Sequence, residues 1–206
     1  MVPEMTKMHS ETREFWRNHR VRLRAVEPED WEAHWQWNKD SETGRCLERV
    51  YLPQTKDAAR RWAERESERE PSDDVFHFEI ENLKGELVGG IATHTCDHRN
   101  GTFSYGLSIK EQHQRRGYAS AAIRLVLKYF FQELRYQKAT VDVFSFNRAS
   151  VVLHERLGFQ REGRLRRMTF TQGEFFDKIV FGLTAEEFAA GLIDDAAVQV
   201  RDLFQD

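Results

Sequence analysis

The 206-residue chain carries 31 Lys plus Arg against 34 Asp plus Glu, a formal charge of -3, with 40% hydrophobic and 12% aromatic residues. That is one domain's worth of chain with ample core-forming side chains, which excludes global disorder. The near balance of charge excludes the broad basic surface of an unspecific nucleic-acid binder.

Two cysteines, Cys46 and Cys96, lack any paired or metal-like spacing and suit a reducing cytoplasm. No apolar run is long enough for a membrane span or the core of a secretory signal, so a soluble cytoplasmic protein is expected. The histidines show no ligand spacing, so no metal is expected.

Residues 1–20 read as a polar N-terminal arm, one helix docked by Phe15 and Trp16. Val21-Arg22-Leu23-Arg24-Ala25-Val26 alternates apolar and charged, the period of a half-buried strand. Glu27-Pro28-Glu29-Asp30 supplies a helix start, and Trp31 and Trp35 share one face of the helix that follows. Residues 38–53 read as an irregular polar connection. Thr55 is a candidate N-cap for a charged, solvated helix reaching Glu70.

From Val75 the period changes to two, with Phe76, Phe78 and Ile80 alternating with His77, Glu79 and Glu81. Turns at Lys84-Gly85 and Asn100-Gly101 separate three consecutive strands, the last spanning 103–109. An apolar helix over 119–134, a strand over 139–146 and a helix over 147–157 closed by Gly158 come next. Two strands over 163–170 and 175–183 bracket a Gln172-Gly173 turn, and 185–206 reads as a helical tail. The order β-α-α-β-β-β-α-β-α-β-β describes an α/β domain over 21–184, a mixed, mostly antiparallel sheet with helices packed on it.

Gln114-Arg115-Arg116-Gly117-Tyr118-Ala119 joins a strand to the N-terminus of the apolar helix. A helix start has unpaired N–H groups and partial positive charge, and Gly117 and Ala119 keep the approach to those amides open. Two arginines add local charge, so the turn reads as an anion site.

Three stretches together resemble the GCN5-related N-acetyltransferase (GNAT) superfamily: this turn; Asn147-Arg148-Ala149-Ser150 followed by Leu157-Gly158-Phe159; and the Gln172-Gly173-Glu174-Phe175-Phe176-Asp177 hairpin. The last is similar to the ribosomal-protein-alanine and spermidine acetyltransferase branch. The resemblance implies acetyl-CoA as acyl donor and direct attack by a primary amine on a protein N-terminus, polyamine, aminoglycoside or other small molecule.

It further implies that the backbone of Gln114, Arg115, Arg116, Gly117, Tyr118, Ala119 and Ser120 holds the pyrophosphate. Leu107, Ser108 and Ile109 would pair with the pantetheine arm beside a bulge near Ile109, and Asn147 would contact that arm. The strand would splay from its neighbour so that the thioester enters the gap.

Asn147, Ser150 and His154 share a helix face. His154 stands where many relatives carry a tyrosine acid, and Ser150 matches a serine proposed as acid. Where relatives place a glutamate on the strand before the turn, this chain has Ser104-Tyr105-Gly106, which leaves Glu79, Glu81 or Asp177 as base. The first helices, with Trp31, Trp35 and Trp37, and the final hairpin would wall the acceptor site. A homodimer through that hairpin or an edge strand is compatible with the branch. A non-catalytic acyl-CoA-binding module is the competing reading.

Overall fold

Alternation in the first strand segment produces β1 (Val21–Ala25), with Val21 and Leu23 buried and Arg22 exposed. A 3-10 turn then leads into α1 (Trp31–Trp37), and α2 (Ser41–Leu47) and α3 (Lys56–Ser67) follow. Next come the meander β2 (His77–Asn82), β3 (Leu87–Asp97) and β4 (Thr102–Ile109), then α4 (Tyr118–Gln132), β5 (Lys138–Phe144) and α5 (Arg148–Arg156). The hairpin β6 (Gln160–Thr171) and β7 (Glu174–Thr184) closes the fold. The structure is a computed structural model and describes residues 14–70 and 74–191.

The strands form one sheet in the order β1-β2-β3-β4-β5-β7-β6, antiparallel except for the pair β4 and β5. The connections β4-α4-β5 and β5-α5-β6 progress in the same direction, so right-handed crossovers place α4 and α5 on one face. That face is the apolar core. Phe103 of β4 stacks on Phe130 of α4 at 3.9 Å, and Ile80, Ile91, Val126 and Phe181 are fully buried around them. The first three helices cover the opposite face, which carries Glu79 and His77 of β2.

Two sequence expectations are corrected. Residues 38–53 are not all irregular, because α2 forms there, capped by Asp40 whose carboxylate accepts from the N–H groups of Glu42 and Thr43. No helix forms over 14–20. Instead Asn18 Oδ1 accepts from the N–H groups of Arg20 and Val21 and folds the chain into a turn. Phe15 and Trp16 do dock, against Tyr129 at 5.7 and 4.7 Å. The rest of the expected arm, 1–13, and residues 192–206 of the tail lie outside the described residues, while 185–191 begin a helix.

One feature of the sheet positions the site. β5 pairs with β4 only at Thr102–Lys138 and Phe103–Ala139, whereas it pairs with β7 along its whole length. From Ser104 to Ile109 the β5-facing edge of β4 therefore has no strand partner among the described residues. β3 and β4 stay in register from Gly89–Ile109 to His94–Ser104. The irregularity falls between His94 and Asp97, and the bulge expected near Ile109 is absent.

Candidate active site

The strand-to-helix turn has the geometry its sequence suggested. Gly117 is the N-cap of α4 at φ 79°, ψ 4°, left-handed, and Arg115 is also left-handed at φ 58°. Such alternation turns successive N–H groups toward one side. The N-caps of α2, α3 and α5, namely Asp40, Thr55 and Asn147, accept from their helices' first amides, but Gly117 offers no side-chain cap. The first amides of α4 thus stay available to an anion. Ser120 turns its hydroxyl to the Gly117 carbonyl at 3.0 Å, and Gln114 Nε2 donates to Ile109 O at 3.0 Å, fixing the strand end to the turn. Tyr118 and Ala119 are half-buried in the first helical turn, whereas Arg115 and Arg116 are exposed.

Across the other face of the sheet, cross-strand register aligns Glu79, Gly90 and Ser108 in one row over β2, β3 and β4. Leu107 and Ile109 point to the α4 face; Ser108 belongs to this row and borders the gap. Glu79 is 0% exposed. His34 of α1 donates from Nε2 to Glu79 Oε1 at 2.5 Å, while Oε2 is buried without a partner. A Cβ placed on Gly90 would lie 3.7 Å from that free oxygen, so the glycine leaves an atom-sized space between Glu79 and Ser108. Further along β4, a Cβ on Gly106 would meet nothing within 4 Å, which marks open volume beside the splay.

The surroundings of Glu79 are polar and aromatic. His34 packs on Trp62 and Trp37 at 4.2 and 4.8 Å, and His77 lies beside Glu66 at 3.6 Å. Burial lowers the pKa values of His77 and Lys110, with Glu79 opposing both shifts by its negative charge. Glu81 is committed elsewhere, to Arg24, which also grips Asp30 through two nitrogens.

Helix α5 divides its expected residues. Asn147 Oδ1 accepts from Ser150 N at 3.1 Å, so this oxygen caps the helix. Ser150 is half-buried in the first turn, beside the splayed end of β5. His154 lies on the core side of the helix. One turn deeper, it is 3% exposed, stacked against Tyr105 and Phe181 at 5.9 Å each with Phe159 at its edge.

His154 Nδ1 donates to Ser150 O at 2.8 Å, Nε2 is buried and unpartnered, and burial lowers the pKa. Ser150 Oγ lies 3.3 Å from the same Nδ1, so the buried ring touches the half-buried Ser150 rather than solvent. Leu157-Gly158-Phe159 ends the same helix: Gly158 is left-handed at φ 92°, Phe159 N reaches back to His154 O at 3.0 Å, and the Phe159 ring is buried.

At the acceptor end, α2 packs against β4, and Arg45 Nε donates to Thr171 Oγ1 at 3.2 Å, joining α2 to the tip of the final hairpin. Asp177 is bound by the N–H of Arg167 and by Arg164, which hold its pKa down and occupy it structurally. Trp35 is covered by Lys39 at 3.2 Å and Lys56 at 5.0 Å, Trp37 by Lys110 at 4.5 Å and Trp31 by Arg60 at 4.4 Å. His34 and Gly90 escaped the sequence reading. Their signals were faint: a histidine among tryptophans and a Gly-Gly pair within a strand.

Comparison with known proteins agrees with this geometry. Residues 20–160 match the sequence model of the acetyltransferase (GNAT) domain. The chain is 40% identical over 174 residues to the SPbeta prophage-derived uncharacterized N-acetyltransferase YokL of Bacillus subtilis (strain 168), covering 84% of this chain and 95% of that protein.

It is 28% identical over 100 residues to a spermidine N(1)-acetyltransferase of Vibrio cholerae, 48% of this chain and 58% of the relative. The crystal structure of spermidine N-acetyltransferase from Vibrio cholerae in complex with CoA and spermine superposes with a TM-score of 0.72 at 22% identity. That match covers 84% of this chain and 99% of the other, and at this identity it speaks for the fold. The splayed sheet, the uncapped glycine turn and the matched domain together place this chain in the GNAT acetyltransferase family.

Proposed function

We propose that the protein transfers the acetyl group of acetyl-CoA to a primary amine, with Glu79 as general base acting across Gly90. The observation that carries this reading is the buried, unpartnered Oε2 of Glu79 facing the space between it and Ser108, on the row that borders the splayed edge of β4. A water in that space would relay the proton of the incoming ammonium to the carboxylate, and base assistance of this kind contributes about 10²–10⁴ in rate.

Acetyl-CoA supplies an activated thioester; the chain's residues bind and orient it. The free amides of α4 at Gly117 suit the pyrophosphate, with Arg115 and Arg116 adding charge. The unpaired edge from Ser104 to Ile109 offers main-chain partners to the pantetheine arm, and Asn147, whose Oδ1 caps α5, keeps its amide Nδ2 for the same arm. Ser150, half-buried at the start of α5 with His154 Nδ1 3.3 Å from its Oγ, takes the acid role, and the buried His154 acts through it.

The acceptor is a protein N-terminus, a polyamine, an aminoglycoside or another small amine. Lysines already lie over Trp35 and Trp37, which weighs toward an acceptor with a single amine rather than a polycation.

The test is thiol release from acetyl-CoA over a panel of such amines, with Glu79→Gln beside the wild type. Glutamine can keep the hydrogen bond to His34 but cannot take a proton, so kcat should fall about 10²-fold with the acetyl-CoA affinity retained. Acetyl-CoA binding without thiol release on the whole panel would favour a non-catalytic acyl-CoA-binding module instead.

A further inference from the structure

The segment ahead of β1 reaches the cofactor turn. Arg20 lies over Gly117: the position of a Cβ on that glycine is 3.4 Å from Arg20 Cδ and 3.5 Å from both Nε and Cζ. Its Nη1 donates to the carbonyl of Arg116 at 3.3 Å, within the turn itself. This placement is built rather than incidental. Asn18 Nδ2 donates to the carbonyl of Ala121 in the first turn of α4, and Asn18 Oδ1 accepts from the Arg20 and Val21 amides. Trp16, two residues before Asn18, is packed on Phe78 and Tyr129 at 4.7 Å each. The segment is thus fixed to the same helix whose N-terminal amides are free.

We propose that Arg20 is a phosphate-binding residue of this protein, adding a guanidinium to the pyrophosphate site at Gly117. The proposal rests on the acetyl-CoA reading above, and it concerns a residue outside the strand–turn–helix motif. Arg20, Arg115 and Arg116 are all exposed, but Arg115 and Arg116 are carried by the turn, whereas Arg20 donates through Nη1 to Arg116 O and through Nε to His19 Nε2. Arg20 is held over the glycine by a separate element. A guanidinium presents planar, bidentate donors to phosphate oxygens, and here its position is set before the ligand arrives.

The experiment is calorimetric titration of the full chain and its Arg20→Ala and Arg20→Lys variants with CoA, dephospho-CoA and S-acetylpantetheine. Each apo variant is first melted to establish that it is folded. Arg20→Ala should weaken CoA and dephospho-CoA alike by roughly tenfold, and Arg20→Lys should recover part of that loss. Neither substitution should change the affinity for S-acetylpantetheine, which has no pyrophosphate. The dependence of CoA affinity on salt should also be shallower for Arg20→Ala.

Unchanged or tighter CoA binding by Arg20→Ala would overturn the proposal. A loss confined to CoA and absent with dephospho-CoA would overturn it too, since the contact would then be with the 3′-phosphate. A wild-type chain that binds none of the three overturns the acetyl-CoA reading itself, a result distinct from a wild type that binds and a variant that binds equally well.

Discussion

Gly90→Ala separates the proposed proton path from the stability of the fold. The methyl group would lie 3.5 Å from Phe78 O, 3.7 Å from Glu79 Oε2 and 3.7 Å from His77 Nε2, ordinary contact distances that require no movement. The Gly90 φ is not among the positive values, so alanine adopts the same backbone. Replacing a strand glycine then removes about 0.5–1 kcal/mol of entropy cost. For a chain of this size that gain raises the melting temperature by roughly 1–4 °C.

The same methyl fills the space in which a water would link Glu79 to the row ending at Ser108. If the base acts across that space, kcat should drop on the order of 10²-fold, about 2.7 kcal/mol of barrier. Gly89→Ala is the contrast, because its Cβ would come within 2.2 Å of Ser108 O and break the β3–β4 pairing. It should lower the melting temperature and activity together. Thiol release and thermal melts on both variants supply the assay. A Gly90→Ala protein that is at least as stable and fully active would refute the path across Gly90.

Two further outcomes follow from the site. Gly117→Glu puts a negative side chain on a left-handed residue beside the free amides of α4, so CoA binding by calorimetry should be lost; affinity within threefold of wild type would displace the pyrophosphate from this turn. His154 is held neutral by burial, so below its unfolded value of about 6.5 the unfolded chain binds the extra proton and stability falls as pH drops. A fully buried histidine of this kind contributes up to about 1.4 kcal/mol per pH unit, and the largely buried His77 adds in the same direction. His154→Phe should therefore flatten denaturation midpoints between pH 7 and 5 while turnover at pH 8 stays within a few-fold. A 10²-fold loss of turnover would give His154 a direct proton-transfer role.

The strand-to-helix turn proposed to hold the cofactor was legible in the sequence as a local backbone feature. A left-handed cap and a helix start without a competing side chain require particular residues, such as Gly117, whereas the free edge of β4 was expected only from the family resemblance and emerges from strand pairing. The strand periods were equally plain, since Val21, Leu23, Phe78 and Ile80 must face one core. Helix α2 was not plain. It is seven residues long, with little apolar face, and it forms because Asp40 caps it and the hairpin tip meets Arg45. Local propensity over so short a segment does not decide the outcome.

His154 was legible as to face but not as to depth. Its place on the Asn147–Ser150 face invited a chemical role, and in the structure it lies buried against Tyr105 and Phe181. Helical spacing assigns a face; it does not assign depth.

The acceptor half depends on which side chains meet across elements distant in sequence. Glu79 acquires its free oxygen only because His34, from a helix 45 residues earlier, takes the other one. Gly90 and Ser108 join it through strand register, which no single segment encodes. This division has a physical basis. The pyrophosphate and pantetheine present the same groups in every such reaction and can be met by main chain, which leaves a motif.

An acceptor differs from one enzyme to the next, and in the proposed reading it is met by side chains on α1, α2 and the β6–β7 tip. In this chain those side chains are lysines laid over tryptophans and an arginine tied to Thr171. Displacing Lys39 from Trp35 or Lys110 from Trp37 would expose an aromatic face to a cationic acceptor, so the substrate range should be sensitive to these two lysines while the cofactor affinity is not.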